Sequence, residues 1–149
     1  PTILALTRQG LPTNKRDQYK ENLVLKGAYV IKNQSEHDAS IFASGSEVEI
    51  SLLAANKLKE FNINLRVISF PCMELFEMQD PKYKKEIIDN KPKFAVEAGV
   101  INGWEKYIDS DNFIGMKSFG ASGPYKDVYK HFSITPEHIC ERIKHNLTK

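Results

Sequence analysis

The sequence lacks the features that would assign it to a membrane, disulfide-rich or nucleic-acid-binding class. No apolar run approaches the roughly 20 residues that a membrane-spanning helix requires. The two cysteines, Cys72 and Cys140, are too few for a disulfide framework, which favours a reducing, cytoplasmic compartment. The net charge of +2 comes from interspersed residues of both signs, so neither a nucleic acid nor a membrane is indicated as a partner.

Familiar phosphate-binding, hydrolase and metal-binding motifs are also missing. The chain contains neither GxGxxG nor GxxxxGK(S/T), the patterns whose glycines let a backbone approach a phosphate. Residues 120–124 come near to the G-x-S-x-G motif of serine hydrolases, but Pro124 stands where the motif requires glycine. Near the C-terminus, Arg142 lies between His138 and His145, where a second metal ligand would be needed. We therefore predict a solvated basic face there and no metal site.

The most informative stretch, residues 38–70, predicts a strand, a tight turn, a helix and a second strand. Ile41–Ala43 is an apolar run of the kind that fills a strand covered on both faces. Gly45 permits a sharp turn that a residue with a Cβ would resist. A second apolar run follows at residues 65–70. A strand, a helix and a strand of this length predict a right-handed βαβ crossover.

The helix of this unit carries start signals and an apolar face. Two capping boxes fit the sequence, in which a serine hydroxyl accepts from a free backbone N–H and a glutamate reaches back. They are Ser44 with Glu47 and Ser46 with Glu49. The apolar residues that recur with the helical period are Ile50, Leu53, Ala54, Leu58 and Phe61. We expect the serines to cap the helix and the apolar face to be buried.

The rest of the chain alternates between predicted strands and helices. Further strands are predicted at residues 3–6, 28–32, 94–96 and 113–116. Further helices are predicted at 18–25, 74–78, 101–108 and 126–131, and after the N-caps Asp80 and Thr135, each followed by proline. Such alternation predicts a three-layer α/β sheet that is mostly parallel. The sequence has no internal repeat.

Ligands of such sheets bind at the carboxyl ends of the strands, and several polar residues fall there. The segment 44–46 can bind an anion at a helix N-terminus or simply cap the helix. Glu97 can act as a general base or end its strand with a hydrogen bond. Cys72 is expected to be a buried or half-buried thiol. Arg8 can hold a phosphate or carboxylate, or remain a surface residue.

Seven segments, taken as a set and in order, carry a family resemblance. They are Leu6–Pro12, Ala43–Val48, Arg66–Pro71, Val96–Ala98, Gly103–Tyr107, Phe119–Pro124 and Phe132–Ile139. The set is similar to the C-terminal region of the transketolase family, and the resemblance covers essentially all 149 residues. No single motif is decisive, but the ordered set is highly specific.

The resemblance implies an enzyme that uses thiamine diphosphate and a divalent metal to transfer a two-carbon ketol unit between sugar phosphates in the pentose phosphate pathway. Enzymes of this family are homodimers with three domains per chain, and the cofactor binds between the first and second domains of opposite subunits. The arginine of the family's Leu-(Thr/Ser)-Arg-Gln motif contacts the sugar phosphate, and the matching residue is Arg8. Gly10 departs from the family's usual asparagine, and the cofactor motif Gly-Asp-Gly is absent from this sequence.

The resemblance also implies a domain organisation. Residues 1–20 would be the last strand and linker of the preceding, pyrimidine-binding domain, and residues 21–149 the C-terminal domain. That domain is a Rossmann-like α/β/α unit with a mixed, mostly parallel five-stranded sheet, whose first strand, here 28–32, is antiparallel. Because the sequence begins in mid-pattern without methionine, we expect it to be part of a longer chain.

Two functional hypotheses follow. In the first, the chain is part of a transketolase and is inactive alone, with no catalytic residue, cofactor or metal of its own. Its role is then structural, dimer-supporting or regulatory, with Arg8 as its contribution to substrate binding. In the second, it is an independent α/β module that binds a small anion in a crevice near Ser46, Glu97 and Ser122.

Overall fold

The computed structural model describes residues 3–7, 9–13, 21–32 and 36–148. Its strands are β1 (Tyr29–Lys32), β2 (Ala39–Ala43), β3 (Leu65–Ser69), β4 (Lys93–Val96) and β5 (Phe113–Ile114). Its α-helices are α1 (Glu47–Leu58), α2 (Met73–Glu77), α3 (Pro81–Ile87), α4 (Tyr125–His131) and α5 (Pro136–Leu147). Shorter 3-10 helices span Leu23–Lys26, Lys59–Phe61, Trp104–Lys106 and Ser110–Asn112. Within these ranges, no helix combines the length and apolar character needed to cross a membrane.

The five strands form one mixed sheet with the order β1-β3-β2-β4-β5. β1 is antiparallel to β3, and every other neighbouring pair is parallel. β2 lies at the centre, where Ile41 stands opposite Val67 of β3 on one side and Phe94 of β4 on the other. The prediction of a mostly parallel five-stranded sheet with an antiparallel first strand is confirmed.

Helices cover both faces of the sheet because successive side chains of a strand point to opposite sides. Ile41 enters one core cluster, together with Ile143 of α5 and several residues of α1. Phe42 enters the opposite cluster, together with Phe76 of α2 and Trp104. All five residues of β2 are buried, as expected for a strand between two layers. The three-layer α/β/α architecture is confirmed.

The two predicted aspartate and threonine caps are present. The N–H of Tyr83 donates to the carboxylate of Asp80 at 3.0 Å and begins α3. The N–H of His138 donates to the hydroxyl of Thr135 at 3.3 Å and begins α5. In both cases a proline occupies the first turn, where its missing N–H costs nothing.

The buried face of α1 differs from the predicted apolar face. Leu53 and Phe61 are 45% and 54% exposed, whereas Ser51, Ala54 and Ala55 are fully buried. Small side chains on this face allow a close approach of α5, whose Cys140 thiol lies 3.5 Å from the carbonyl oxygen of Ala54. Of the predicted face, Ala54 and Leu58 are fully buried as expected, whereas the small residues Ser51 and Ala55 take the buried places expected for Leu53 and Phe61.

Two predicted strands are shorter or missing. Residues 3–7 form no strand, and their side chains are exposed, because this segment has no hydrogen-bonded neighbour in the five-stranded sheet. β5 comprises only Phe113–Ile114 rather than 113–116, and the N–H of Met116 turns instead to the carbonyl of Gly99 at 2.8 Å.

Two predicted helices are reduced to single 3-10 turns. The segment predicted as a helix at 18–25 shows a 3-10 turn at Leu23–Lys26, capped by Asn22, while residues 18–20 lie outside the described part. The segment at 101–108 contains only the turn Trp104–Lys106. Both turns are short because each is followed or preceded by a glycine with a positive φ angle.

Candidate functional site

The sheet has a topological switch point between β2 and β4. The chain leaves β2 through α1 to reach β3 on one side, and leaves β3 through α2 and α3 to reach β4 on the other. In sheets of this kind the carboxyl ends of the two strands at such a point enclose the crevice where ligands bind. Ser44 follows β2 and Glu97 follows β4, so both lie at this point.

A hydrogen bond joins the two strand ends. The hydroxyl of Ser44 donates to the Oε2 atom of Glu97 at 2.9 Å. Burial raises the pKa of the Glu97 carboxyl from 4.5 to about 7; the neighbouring carboxyl of Glu47 adds to the rise, and the Ser44 hydrogen bond opposes it. Glu97 is therefore a hydrogen-bonded end-of-strand residue that exchanges its proton near neutral pH.

Another carboxyl group, Glu47, lies at the start of α1 and is buried, with only 3% of its surface exposed. The hydroxyl of Ser46 donates to its Oε1 atom at 2.8 Å, and the hydroxyl of Tyr129 from α4 donates to the same atom. The Ser46 and Tyr129 hydroxyls are themselves 3.1 Å apart. Ser46, Glu47 and Tyr129 thus form one connected polar group, here called the Glu47 cluster.

The expectation that Ser44 and Ser46 cap α1 was wrong. The helix begins at Glu47, and its N-cap residue Ser46 makes no side-chain capping bond. The amides of Glu47 and Glu49 instead bond to the backbone carbonyls of Ser44 and Ser46, at 3.1 and 3.2 Å. The serine hydroxyls are oriented toward the glutamates instead, because a charge-assisted bond to a carboxylate is stronger than the neutral bond that a capping hydroxyl would accept from a backbone N–H.

The Glu47 cluster extends to the N-terminal segment. The side-chain amide of Gln9 donates to the hydroxyl of Tyr129 at 3.3 Å, across 120 positions of the sequence. Gln9 is half-buried, whereas residues 3–7 and 10–13 are exposed. Segment 9–13 is therefore attached to α4, and through Tyr129 to the start of α1.

The structure brings together some of the predicted site residues and separates others. Ser46 and Glu97 lie at the same edge of the sheet, whereas Ser122 is exposed and bonds to neither of them among the described residues. Cys72 is half-buried, as predicted, and its thiol lies 3.4 Å from a carboxylate oxygen of Glu74. Arg8 lies outside the described residues.

Sequence reasoning missed the two residues that organise this edge, Glu47 and Tyr129. The sequence pattern presents Glu47 only as the capping partner of Ser44, although its side chain is buried. Tyr129 lies 82 positions from Glu47, on a helix with no motif of its own. No local pattern signals this contact, because it depends on how α4 packs beside α1.

Chemically, the end of the sheet where β2 and β4 finish is acidic. It holds two carboxyl groups, Glu47 and Glu97, and the side chains that donate to them among the described residues are the neutral hydroxyls of Ser44, Ser46 and Tyr129. Such an arrangement can hold and exchange a proton, but it repels an anion whenever both groups are ionised. In the described part of the chain, no three His, Cys, Asp or Glu side chains are grouped as a metal site would need.

Comparison with known proteins places this fold in a family. The family model of the transketolase-like TK C-terminal domain matches residues 27–135. The chain belongs to the transketolase C-terminal domain family. The match begins just before β1 and ends just before α5, so it includes the whole sheet and the Glu47 cluster of this transketolase domain.

Curated and solved transketolases agree with this assignment. The transketolase of Sinorhizobium medicae is 43% identical over 142 residues, which are 93% of this chain and 20% of that protein. The structure of transketolase from Leishmania mexicana has a TM-score of 0.79 and 37% identity, covering 85% of this chain and 18% of that one. A transketolase mutant from Pichia stipitis has a TM-score of 0.84 and 32% identity, covering 95% and 20%. The transketolase domain described here thus spans about a fifth of the length of these relatives.

Proposed function

We propose that this chain is the C-terminal part of a transketolase, which transfers a two-carbon ketol unit between sugar phosphates of the pentose phosphate pathway. The observation that carries the proposal is the match of the transketolase C-terminal family model to residues 27–135. The 43% identity to a curated transketolase over 93% of the chain supports it. Because the chain spans about a fifth of that relative, the activity is assigned to the longer polypeptide.

Thiamine diphosphate and its divalent metal do not fit the described residues. A metal bound with a diphosphate takes several oxygen ligands at one place. The described ranges contain no group of three or more His, Cys, Asp or Glu side chains that could hold a metal ion. The Glu47 carboxylate already accepts hydrogen bonds from Ser46 and Tyr129. We therefore assign the cofactor and metal to other parts of the enzyme, and propose that the isolated chain neither binds them nor catalyses the transfer.

Arg8 is our proposed substrate-binding residue, with the sugar phosphate as its ligand. The proposal rests on the match of residues 6–9 to the family's Leu-(Thr/Ser)-Arg-Gln motif. A guanidinium group can hold a phosphate through two parallel, charge-assisted hydrogen bonds, which gives orientation as well as affinity. The contribution of this chain to the reaction is then the positioning of substrate, and it supplies no catalytic group.

The N-terminal segment is proposed to belong to a neighbouring domain, with residues 1–20 as its tail and linker and 21–149 as the C-terminal domain. Ile3, Leu4 and Leu6 are 94%, 76% and 81% exposed, a dense cluster of apolar surface for so short a segment. Packing against the preceding domain would bury this apolar surface.

We further propose that the C-terminal domain supports the homodimer or regulates it. We also propose that the enzyme is cytoplasmic, because both cysteines are free thiols.

A coupled assay of sugar-phosphate turnover tests the proposal. The longer polypeptide, supplied with thiamine diphosphate and a divalent metal, should transfer the ketol unit, and the 149-residue chain alone should not. Arg8→Ala in the longer polypeptide should raise KM for phosphorylated substrates by about tenfold or more, and leave unphosphorylated substrates unaffected. Turnover by the chain alone, or none by the longer polypeptide, would contradict the proposal.

The alternative of an independent anion-binding module is less well supported by the geometry. Its crevice would contain the carboxyl groups of Glu47 and Glu97, and Ser122 is not connected to it. Titrating the chain with inorganic phosphate while monitoring its amide NMR chemical shifts tests whether it binds an anion there. Saturable shifts confined to residues 44–46 would favour the module over the enzyme fragment.

A further inference from the structure

The bond between Gln9 and Tyr129 attaches the proposed substrate-binding segment to the C-terminal domain. Gln9 directly follows Arg8 in the sequence, and its side-chain amide donates to the Tyr129 hydroxyl at 3.3 Å. The backbone N–H of Gln9 also donates to the hydroxyl of Thr7 at 3.4 Å. Two hydrogen bonds therefore hold the residues on either side of Arg8, one within the segment and one to α4.

The Glu47 cluster sets the direction of the Tyr129 hydroxyl. A phenol has one proton to give, and Tyr129 donates it to the carboxylate of Glu47. Its oxygen is then left as an acceptor that the Gln9 amide can use. Burial and the Glu47 carboxylate both raise the pKa of Tyr129 above 10.0, so the phenol keeps its proton at neutral pH.

The ring of Tyr129 is held in place independently of its hydroxyl. It packs edge-on against Tyr125, with 6.0 Å between the ring centroids and 89° between their planes. The backbone carbonyl of Tyr129 accepts from the N–H of Ile134 at 2.8 Å, which fixes the end of α4. Loss of the hydroxyl should therefore leave the ring where it is and remove only the polar contacts.

We infer that Tyr129 is a positioning residue for sugar-phosphate binding: its hydroxyl, oriented by Glu47, holds Gln9 and thereby the backbone that carries Arg8. The inference rests on the proposed role of Arg8 as the phosphate-binding residue. It gives the C-terminal domain a specific part in substrate recognition, although it supplies no catalytic group. Tyr129 touches neither substrate nor cofactor in this assignment and acts through Gln9.

Steady-state kinetics of the longer polypeptide test the inference. Tyr129→Phe should raise KM for a phosphorylated substrate by about 3- to 10-fold, as expected for the loss of one hydrogen bond to a positioning group. It should change kcat less than about twofold and leave KM for the unphosphorylated sugar unchanged. Tyr125→Phe is the matched control, because it removes an exposed hydroxyl that makes no hydrogen bond in the described structure while keeping the ring contact.

A double-mutant cycle separates positioning from general damage. Gln9→Met keeps the length of the side chain but cannot donate, so it should reproduce the effect of Tyr129→Phe. In KM for the phosphorylated substrate, the double variant should be no worse than Tyr129→Phe alone, because Tyr129→Phe already removes the bond that Gln9→Met removes. Additive losses, equal losses for phosphorylated and unphosphorylated substrates, or no change in KM would each overturn the inference.

Hydrogen exchange gives a readout that does not depend on activity. In the longer polypeptide, Tyr129→Phe should speed amide exchange at residues 7–10 by about 3- to 10-fold relative to wild type and Tyr125→Phe. Unchanged exchange there would overturn the positioning role even if Arg8 binds the phosphate. If Arg8→Ala has no phosphate-specific effect while exchange still responds to Tyr129→Phe, the substrate assignment fails and the attachment of the segment stands.

Discussion

The hydroxyl of Ser44 donates a 2.9 Å hydrogen bond to the carboxyl group of Glu97 and so joins the ends of two neighbouring parallel strands, β2 and β4. The bond therefore spans the switch point of the sheet, and its acceptor, the carboxyl group of Glu97, is titratable. Burial raises the pKa of Glu97 to about 7, so the protonation of this contact changes near neutral pH.

Glu97 should make stability depend on pH. Its carboxyl group has a pKa of about 7 in the folded protein and an ordinary value of 4.5, so the folded state holds the proton more tightly. The stabilisation is therefore complete below the ordinary value and is lost as the pH rises through about 7. Between about pH 5 and pH 8, the free energy of unfolding should fall by roughly 1–2 kcal/mol more in wild type than in Glu97→Gln, after allowance for partial exposure.

Urea denaturation at several pH values measures this difference. Glu105→Gln serves as the control, because it removes an exposed carboxylate without touching the switch point. Its profile should run parallel to that of wild type. A Glu97→Gln profile that also runs parallel to wild type would show that the Glu97 proton is not linked to folding.

Gly27 should not tolerate a side chain. Its φ angle is +77°, and a Cβ atom there would lie 2.2 Å from the backbone nitrogen of Phe76 and 2.4 Å from the carbonyl oxygen of Cys72. These two backbone atoms, one in α2 and one in its N-cap residue, are joined by a hydrogen bond of 3.2 Å and cannot move aside cheaply. We expect Gly27→Ala to lower the free energy of unfolding by more than about 3 kcal/mol, or to prevent folding.

Gly45 offers a matched control for Gly27. It also has a positive φ angle, +48°, but nothing lies within 4 Å of the Cβ position. Gly45→Ala should therefore show only the conformational cost, about 1 kcal/mol. Thermal unfolding of the two variants side by side distinguishes the cost of a clash from that of a left-handed backbone, and equal losses would refute the clash at Gly27.

Asp89 should be required for the buried guanidinium of Arg66. The Arg66 side chain is 7% exposed and donates to Asp89 at 2.9 Å, and the ring of His37 lies 2.6 Å from the same carboxylate oxygen. Asp89→Asn leaves the arginine charge buried without its counter-ion and should cost about 2–4 kcal/mol at neutral pH. Replacing both residues, with Arg66→Met and Asp89→Asn together, should cost less than Asp89→Asn alone, because no unpaired charge then remains.

The loss at Asp89 should disappear in acid. Burial alone would raise the pKa of Asp89, but hydrogen bonds from the Lys91 N–H and His37, with the charges of His37 and Arg66, lower it. The stabilisation is present above the ordinary value of 3.8 and is lost as the pH falls through the lowered pKa. Denaturation curves should therefore converge for wild type and Asp89→Asn at low pH. A gap that stays constant would rule out the ion pair as its source.

Ile143 should be a highly sensitive position of α5. It is fully buried between α1 and the sheet, in the same core cluster as Ile41. Ile143→Ala should lower the free energy of unfolding by about 2–5 kcal/mol, because the rigid sheet beneath it cannot close the cavity. Leu147, only partly buried at the end of the same helix, is the control and should lose less on truncation to alanine. Equal losses would mean that Ile143 does not lie at the centre of the contact between α5 and the sheet.

Local sequence was sufficient for the elements whose causes are local. The caps at Asp80 and Thr135 each depend on one side chain and an amide three residues away. The βαβ unit follows from two apolar runs and the helix between them, and the ordered motifs assigned the chain to its family. The family and the architecture of the domain are therefore encoded in patterns that can be recognised along the chain.

Tertiary structure alone decided how the edge of the sheet is built. Ser44 and Ser46 had good capping patterns, yet their hydroxyls donate to Glu97 and Glu47. A lost N-cap costs about 1 kcal/mol, whereas a buried carboxylate left without donors costs more. Once packing has enclosed the glutamates, the serine hydroxyls therefore donate to them and leave the cap unmade. The packing that encloses Glu47 also brings Tyr129 to it from 82 positions away, a contact that no local pattern encodes.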